Sequence, residues 1–197
     1  MPEDCSPAHG VVVLAAGASS RLGCNKLLLM HEHESMVHRA VRLALATDPR
    51  DAVVVVGADA DTILRELHDL PIRRIDAANW HEGMGTSLRA GLDALSMDCA
   101  GALVVVCDQP ALDAPHLQAL CATWFNAPQN AVASRYALRL GVPAVLPRAW
   151  FGDIGAGDRG ARALFEGQGT PVSAIANEAL AVDIDTPDDL PALRPQG

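Results

Sequence analysis

Lysine is nearly missing from this 197-residue chain: the fifteen basic residues are fourteen arginines and a single lysine, Lys26. Against them stand 24 acids, for a net charge of −9, and no stretch gathers the arginines into a basic stripe. A surface that holds nucleic acid or an anionic membrane by counterion release is thereby excluded. Any anionic ligand has to meet a local positive site. Long apolar runs are missing too. The longest, 11–16, 52–56 and 102–107, fall far short of the ~20 residues of a membrane helix. Residues 1–10 carry Glu3 and Asp4 and lack the basic start and apolar stretch of a secretory signal, so the chain is expected in the cytoplasm. The five cysteines, at positions 5, 24, 99, 107 and 121, form an odd set without a Cys-x-x-Cys pair. A disulfide framework and a zinc-binding spacing are both excluded.

What is present is apolar: hydrophobic residues make up 50% of the chain, enough for one domain over 1–197 with a core from about 10 to 190. Apolar β-rich runs alternate with helical patterns, the rhythm of a parallel α/β protein. Buried strands are expected at 10–15, 52–57 and 101–107, with a shorter one at 72–76. Amphipathic helices are expected at 35–47, 60–70, 86–95 and 113–124, the last with Pro115 in its first turn, where a missing N–H is harmless. The second half predicts strands at 131–134, 142–146, 172–176 and 181–184, a helix at 158–166, and a short helix opening at Pro187.

The first strand runs into thirteen residues, 14–26, that hold two glycines, two serines, Arg21 and Lys26. Small side chains let backbone N–H groups approach an anion, the hydroxyls add donors, and the two cations offset a polyphosphate. The loop is neither G-x-G-x-x-G nor a P-loop, because five residues separate Gly17 from Gly23 and Lys26 lies three beyond. The alternative is a βα loop whose glycines and serines are incidental. Lys26 favours the cradle: a compact ammonium is a point charge suited to phosphate oxygens. Farther on, Asp108 lies where a buried strand ends at Pro110, on the side where α/β sheets bind ligands. Asp183 and Asp185 flank Ile184, so alternation puts both on one face. A carboxylate at such a strand end, facing a polyphosphate, would suit Mg²⁺, which takes one or two carboxylates together with phosphate oxygens.

Leu14-Ala-Ala-Gly-Ala-Ser-Ser-Arg-Leu-Gly-Cys-Asn-Lys26 resembles the L-A-A-G-x-S-x-R-[ML]-G-x-x-K signature of the molybdenum-cofactor nucleotidyltransferases of the MobA-like group, most of all the cytidylyltransferases of the MocA type. The likeness continues at 83–88 (Gly-Met-Gly-Thr-Ser-Leu), 107–110 (Cys-Asp-Gln-Pro), 157–162 (Gly-Asp-Arg-Gly-Ala-Arg) and 183–190 (Asp-Ile-Asp-Thr-Pro-Asp-Asp-Leu). It implies a Rossmann-like three-layer α/β/α nucleotidyltransferase fold with a mostly parallel sheet. The implied activity is Mg²⁺-dependent transfer of CMP from CTP to the phosphate of the molybdenum–molybdopterin cofactor, with release of pyrophosphate. Lys26, Arg21 and Asp108 would be catalytic. Leu14, Ala15, Ala16, Gly17, Ser20, Arg21, Lys26, Gly83, Ser87 and Asp108 would bind the nucleotide, and Asp108 with Asp185, or Asp183, would hold the metal. The partners implied are CTP or another nucleoside triphosphate, a molybdopterin-type phosphorylated acceptor, and a molybdoenzyme or its maturation chaperone. Ala16, where guanosine-transferring relatives carry Gly, favours CTP. Gln109 and Val142 depart from the family's G-D-M-P and G-H-P and bear on the acceptor. GTP use, another phosphorylated acceptor, or a non-catalytic nucleotide-binding protein that hands the cofactor on remain the alternatives.

Other signals read as structural. Residues 31–34, His-Glu-His-Glu, form a polar turn rather than a metal site. Asp188 and Asp189 suit the positive end of a helix. Trp80 and His81 precede the Gly83 turn, either lining the acceptor pocket or as loop aromatics. Cys24 and Cys107 lie inside motifs, but neither has a neighbouring His or basic pair in sequence that would argue a thiolate nucleophile. Asp158 to Arg162 is either a capped helix start or an acceptor-side segment.

Overall fold

The computed structural model describes residues 7–17, 22–155, 165 and 172–193. Three valine-rich strands form its centre: β1 (Ala8–Ala15), β4 (Asp51–Val56) and β6 (Cys99–Val106). Both faces of each are buried, so their sequences read as continuous apolar runs rather than as alternation. The pleat still sorts them. Val11, Val13, Val54, Leu103 and Val105 face one core cluster, and Val12, Val53, Val55, Ala102 and Val104 face the other.

Helices cover both faces. The first cluster takes α1 (Met36–Leu45) through Val37, Ala40, Val41 and Ala44, α2 (Ala60–Glu66) through Ile63, and α4 (Ala114–Phe125) through Leu117, Leu120 and Trp124. The second takes α3 (Met84–Ala94) through Leu88 and Leu92, with Trp150, Phe151 and Ile154 beside it. Each fully buried aliphatic side chain contributes ~1.5–3 kcal/mol relative to exposure. Two helix starts are those of the sequence reading: Ser35 Oγ accepts from the His38 N–H at 3.4 Å and Asp113 Oδ1 from the His116 N–H at 2.8 Å.

The remaining strands are a two-stranded hairpin, β2 (Met30–His31) and β3 (Glu34–Ser35), then β5 (Arg73–Asp76), β7 (Ala131–Tyr136), β8 (Arg139–Pro147) and β9 (Val172–Ala176). The seven-stranded sheet has the order β5-β4-β1-β6-β8-β7-β9. It is parallel from β5 to β6; β8 runs antiparallel to both β6 and β7, and β9 is parallel to β7. The fold is therefore the Rossmann-like α/β/α arrangement, with strand order reversing between β1 and β6, where such sheets bind ligands beyond the carboxyl ends of the strands. Register sets Leu14 beside both Val55 and Val106, so the three strand ends emerge as a row. Among the described residues no helix is long and apolar enough to cross a membrane.

One expectation fails. The strand expected over 181–184 is absent: Glu178–Ala181 forms a 3-10 turn, and 182–185 runs outside the sheet, fastened by the Ile184 N–H to the Asp108 carbonyl at 2.9 Å. It lies beyond the last ladder residue of β6, where no strand edge remains to pair with. The helix expected over 158–166, apart from Phe165, lies outside the described residues, as do Ser20, Arg21 and the segment Asp158 to Arg162.

Close packing generates one prediction. A Cβ on Gly91 of α3 would lie 2.5 Å from Val12 Cγ1 and 2.7 Å from Val55 Cγ2, branches too stiff to yield. Gly91→Ala should lower stability by ~1–2 kcal/mol despite the better helix propensity of Ala, seen as a lower urea midpoint with an unchanged slope.

Buried histidines generate another. His116 Nε2 lies 2.8 Å from Ser134 Oγ, whose own proton goes to the Pro143 carbonyl at 2.6 Å, and His9 Nε2 meets Thr47 Oγ1 at 2.9 Å in the same way. Burial holds both rings below the ordinary value of 6.5. The unfolded chain thus takes up these protons first, so stability is complete above pH 6.5 and is lost as pH falls below it toward the folded values. The drop in urea midpoint between about pH 7.5 and about pH 5.5 should be smaller in His116→Gln than in the parent chain.

Candidate active site

Lys26 is placed by its neighbours. Asn25 caps the 3-10 turn Lys26–Leu28, its Oδ1 accepting from the Leu27 N–H at 3.0 Å while its Nδ2 donates to Asp59 at 3.1 Å. Leu27 then plugs into the core. With the residues on both sides pinned, the lysine side chain runs back across the strand ends. Its Nζ lies 2.8 Å from Asp108 Oδ2 and 2.6 Å from Asp185 Oδ1, partners 82 and 159 residues away in sequence. Burial opposes its charge, yet Asp108 and Asp185 outweigh that and hold the ammonium's pKa above its ordinary value.

Asp108 leaves the end of β6 next to β1. Arg39 of α1 donates to the Leu112 carbonyl at 2.7 Å and anchors the loop that follows. Asp185 is placed by a turn that Asp189 organises: one carboxylate oxygen accepts from the Asp185 N–H, the Thr186 N–H and the Thr186 hydroxyl at 2.7–3.1 Å. Those bonds hold the Asp189 carboxyl below the usual carboxylate range, and they give Asp189, expected only near the positive end of a helix, the role of capping the turn. Each of Asp108, Asp183 and Asp185 offers an oxygen within 4.8 Å of the others. Burial, and then the charges of Asp108 and Asp185, push the Asp183 carboxyl up. Among the described residues three carboxylates gather with one ammonium, and an all-oxygen donor set of this kind suits Mg²⁺ or Mn²⁺.

The cluster opens onto a cavity of about 330 Å³ between the strand ends and α3. Of the residues singled out in the sequence, Leu14, Ala16, Gly17, Lys26, Gly83, Ser87 and Asp108 line it. Ala15 instead packs its side chain into the core on the opposite face and can offer only backbone groups. Gly83 stands at φ 115°, in the left-handed region that favours glycine, and opens α3 without a side-chain cap. The first N–H groups of α3 and Ser87 in its first turn thus face the cavity. Cys107 is buried, its thiol pKa pushed up by burial and then by Asp108, which excludes a resting thiolate.

Two residues that the sequence tied only to the acceptor have a definite place here. Gln109, noted only as a departure from the family pattern, is buried and donates through Nε2 to the Leu180 carbonyl at 3.1 Å and the Val142 carbonyl at 3.3 Å. It fastens the segment carrying Asp183 and Asp185 and the start of β8 to the residue after Asp108. Its Oε1 has no partner among the described residues. A polar residue between an acid and a proline inside an apolar context was the available signal. Trp80 lines the same cavity as Lys26 and Asp108.

Residues 11–173 match the family described as the MobA-like NTP transferase domain. Over 190 residues the chain is 30% identical to the nicotine blue oxidoreductase of Paenarthrobacter nicotinovorans, covering 91% of this chain and 93% of that one. It is 31% identical over 202 residues to the purine catabolism protein PucB of Bacillus subtilis (strain 168), covering 93% and 94%. Rv0371c from Mycobacterium tuberculosis H37Rv shares the fold with a TM-score of 0.83 and 24% identity over 95% of this chain and 98% of that one. The same protein has been solved as a complex with manganese (TM-score 0.77, 23% identity, 96% and 100%).

Removing the ammonium separates its two electrostatic roles. Lys26→Met should tighten binding of Mn²⁺ alone, followed by electron paramagnetic resonance, because the three carboxylates lose their internal counter-ion. In metal-free buffer it should lower thermal stability by ~1–3 kcal/mol, a value below that of a fully buried pair because Asp185 is partly exposed.

Proposed function

Because this chain belongs to the MobA-like NTP transferase family, we propose that its nucleotidyl transfer moves CMP from CTP to the phosphate of the molybdenum–molybdopterin cofactor and releases pyrophosphate. The observation that carries this reading is the meeting of Lys26, Asp108 and Asp185 at the mouth of a cavity walled by the residues after β1 and by the start of α3.

The chemistry needs little more than alignment and charge. The acceptor phosphate, with a second pKa of ~6, is largely dianionic near neutral pH, so no general base is required. One of its oxygens attacks the α-phosphorus. A P–O bond forms there as the bond to the β-phosphate oxygen breaks, and the electron pair leaves with pyrophosphate. Lys26 neutralises charge on the triphosphate, and the N–H groups at the start of α3 and after β1 orient phosphate oxygens without reorganising as the reaction proceeds. We assign a triphosphate-binding role to Arg21 and a hydroxyl donor role to Ser20, both outside the described residues. Asp108 and Asp185, with Asp183 beside them, would hold Mg²⁺, which supplies Lewis-acid polarisation of phosphoryl oxygens when bound.

Ala16 supports CTP, because the Leu-Ala-Ala-Gly form of the loop resembles the cytidine-transferring members and Ala16 lines the cavity. The acceptor rests on the same resemblance, and the reading places the protein in the cytoplasm, delivering its product to a molybdoenzyme or that enzyme's chaperone.

The test is pyrophosphate release by the purified chain with Mg²⁺ and each nucleoside triphosphate in turn, with and without the molybdenum-loaded pterin. Release should require the acceptor and be fastest with CTP, and Asp108→Ala should reduce it on the order of 100-fold. CTP binding with no pyrophosphate under any condition would leave a nucleotide-binding handover protein, and full turnover in Asp108→Ala would remove the proposed role of that carboxylate.

A further inference from the structure

Gly57 follows β4, and its backbone is not among the described glycines with positive φ, which are Gly23 and Gly83. Alanine could adopt its conformation. What alanine lacks is room: a Cβ on Gly57 would lie 2.6 Å from Trp80 Cγ, 2.7 Å from Trp80 Cδ1 and 2.8 Å from the Ala16 carbonyl oxygen. Glycine at this position is a space requirement, and the indole fills the space.

Backbone bonds fix the indole from both sides. The Ala77 N–H donates to the Val56 carbonyl at 2.9 Å, the Trp80 N–H to the Ala77 carbonyl at 3.1 Å, and the Gly83 N–H to the Trp80 carbonyl at 3.3 Å. Trp124 and Trp150 are buried in the core, whereas Trp80 is half-buried and lines the cavity with Ala16, Gly17 and Met84.

Position across the sheet decides what it faces. β1 lies between β4 and β6, so Gly57 and Asp108 emerge two strand spacings apart, ~10 Å. The charged groups therefore occupy the β6 end of the cavity, and an apolar aromatic wall the β4 end. A nucleotide whose triphosphate meets Lys26 carries its base one ribose away from that charge.

We propose that Trp80 is the wall against which the nucleobase packs and that Gly57 is its positioning residue, so that the cavity selects a planar heteroaromatic ring over a bare polyphosphate. This rests on the nucleotide reading above and adds the group that recognises the base. Titration calorimetry on the full chain with Mg²⁺ tests it, using CTP and inorganic tripolyphosphate as separate ligands.

Trp80→Ala should weaken CTP about 10-fold or more while leaving tripolyphosphate unchanged, and Trp80→Phe should retain most of the affinity. Gly57→Ala should also weaken CTP, and part of that loss should vanish in the Trp80→Ala background, where the Ala16 carbonyl but no ring stands against the new methyl. CTP should shield the half-buried tryptophan from acrylamide quenching. Unchanged CTP affinity in Trp80→Ala, or equal losses for both ligands, would overturn the wall and leave nucleotidyl transfer standing wherever pyrophosphate is still released. A parent chain that binds neither ligand would overturn both.

Discussion

An ammonium sits 2.8 Å from one carboxylate and 2.6 Å from another at the end of the sheet, with a third carboxylate within reach. Stability alone does not favour such a group. Withdrawing these charges from water costs more than their attraction returns unless geometry and hydrogen bonding are very good, and apolar replacements of similar volume often stabilise. In the proposed reading the arrangement is a charge balance set for a visitor: among the described residues three acids stand with one base, a group that would receive a cation together with phosphate oxygens. Every element around the site serves this balance, from the Asn25 cap that turns Lys26 inward to the Asp189 turn that presents Asp185.

The sheet supplies the precision. Because β1 and β6 are neighbours in parallel register, with Leu14 beside Val106, the glycine loop and Asp108 emerge side by side, although more than 80 residues separate them in the chain. Two apolar faces clamp those strands, so the ends cannot drift without opening the core. Gln109 extends the same rigidity sideways by tying the Leu180 and Val142 carbonyls together beside Asp108. Loop residues thereby acquire the positional definition of strand residues, which in-line phosphoryl chemistry demands.

Selectivity has a separate origin within the same cavity. In the proposed reading, charge at the β6 end would meet any polyphosphate, whereas Trp80 at the β4 end depends on the missing side chain of Gly57. Division of one cavity into a charged end and an aromatic end lets base preference vary without touching the groups at the phosphorus. The name oxidoreductase, carried by a 30% identical relative, and the transferase family description meet on the same fold, as is usual where function lies in the site rather than in the scaffold.

Local pattern alone determined the elements. Continuous valine runs can only be strands buried on both faces, Ser35 and Asp113 announce helix starts, and the small, cationic loop after β1 is legible because backbone approach to an anion needs short side chains. Asp183 and Asp185, expected on one face from alternation around Ile184, do come together beside Asp108 while Ile184 is buried, although the strand expected there did not form. Contacts over long sequence separation were not legible. That Lys26 meets Asp108 and Asp185, that Trp80 fills the space above Gly57, and that Gln109 joins three segments follow from strand order and register. Those are decided by the simultaneous burial of both sheet faces, a condition on the whole chain that no short stretch of sequence contains.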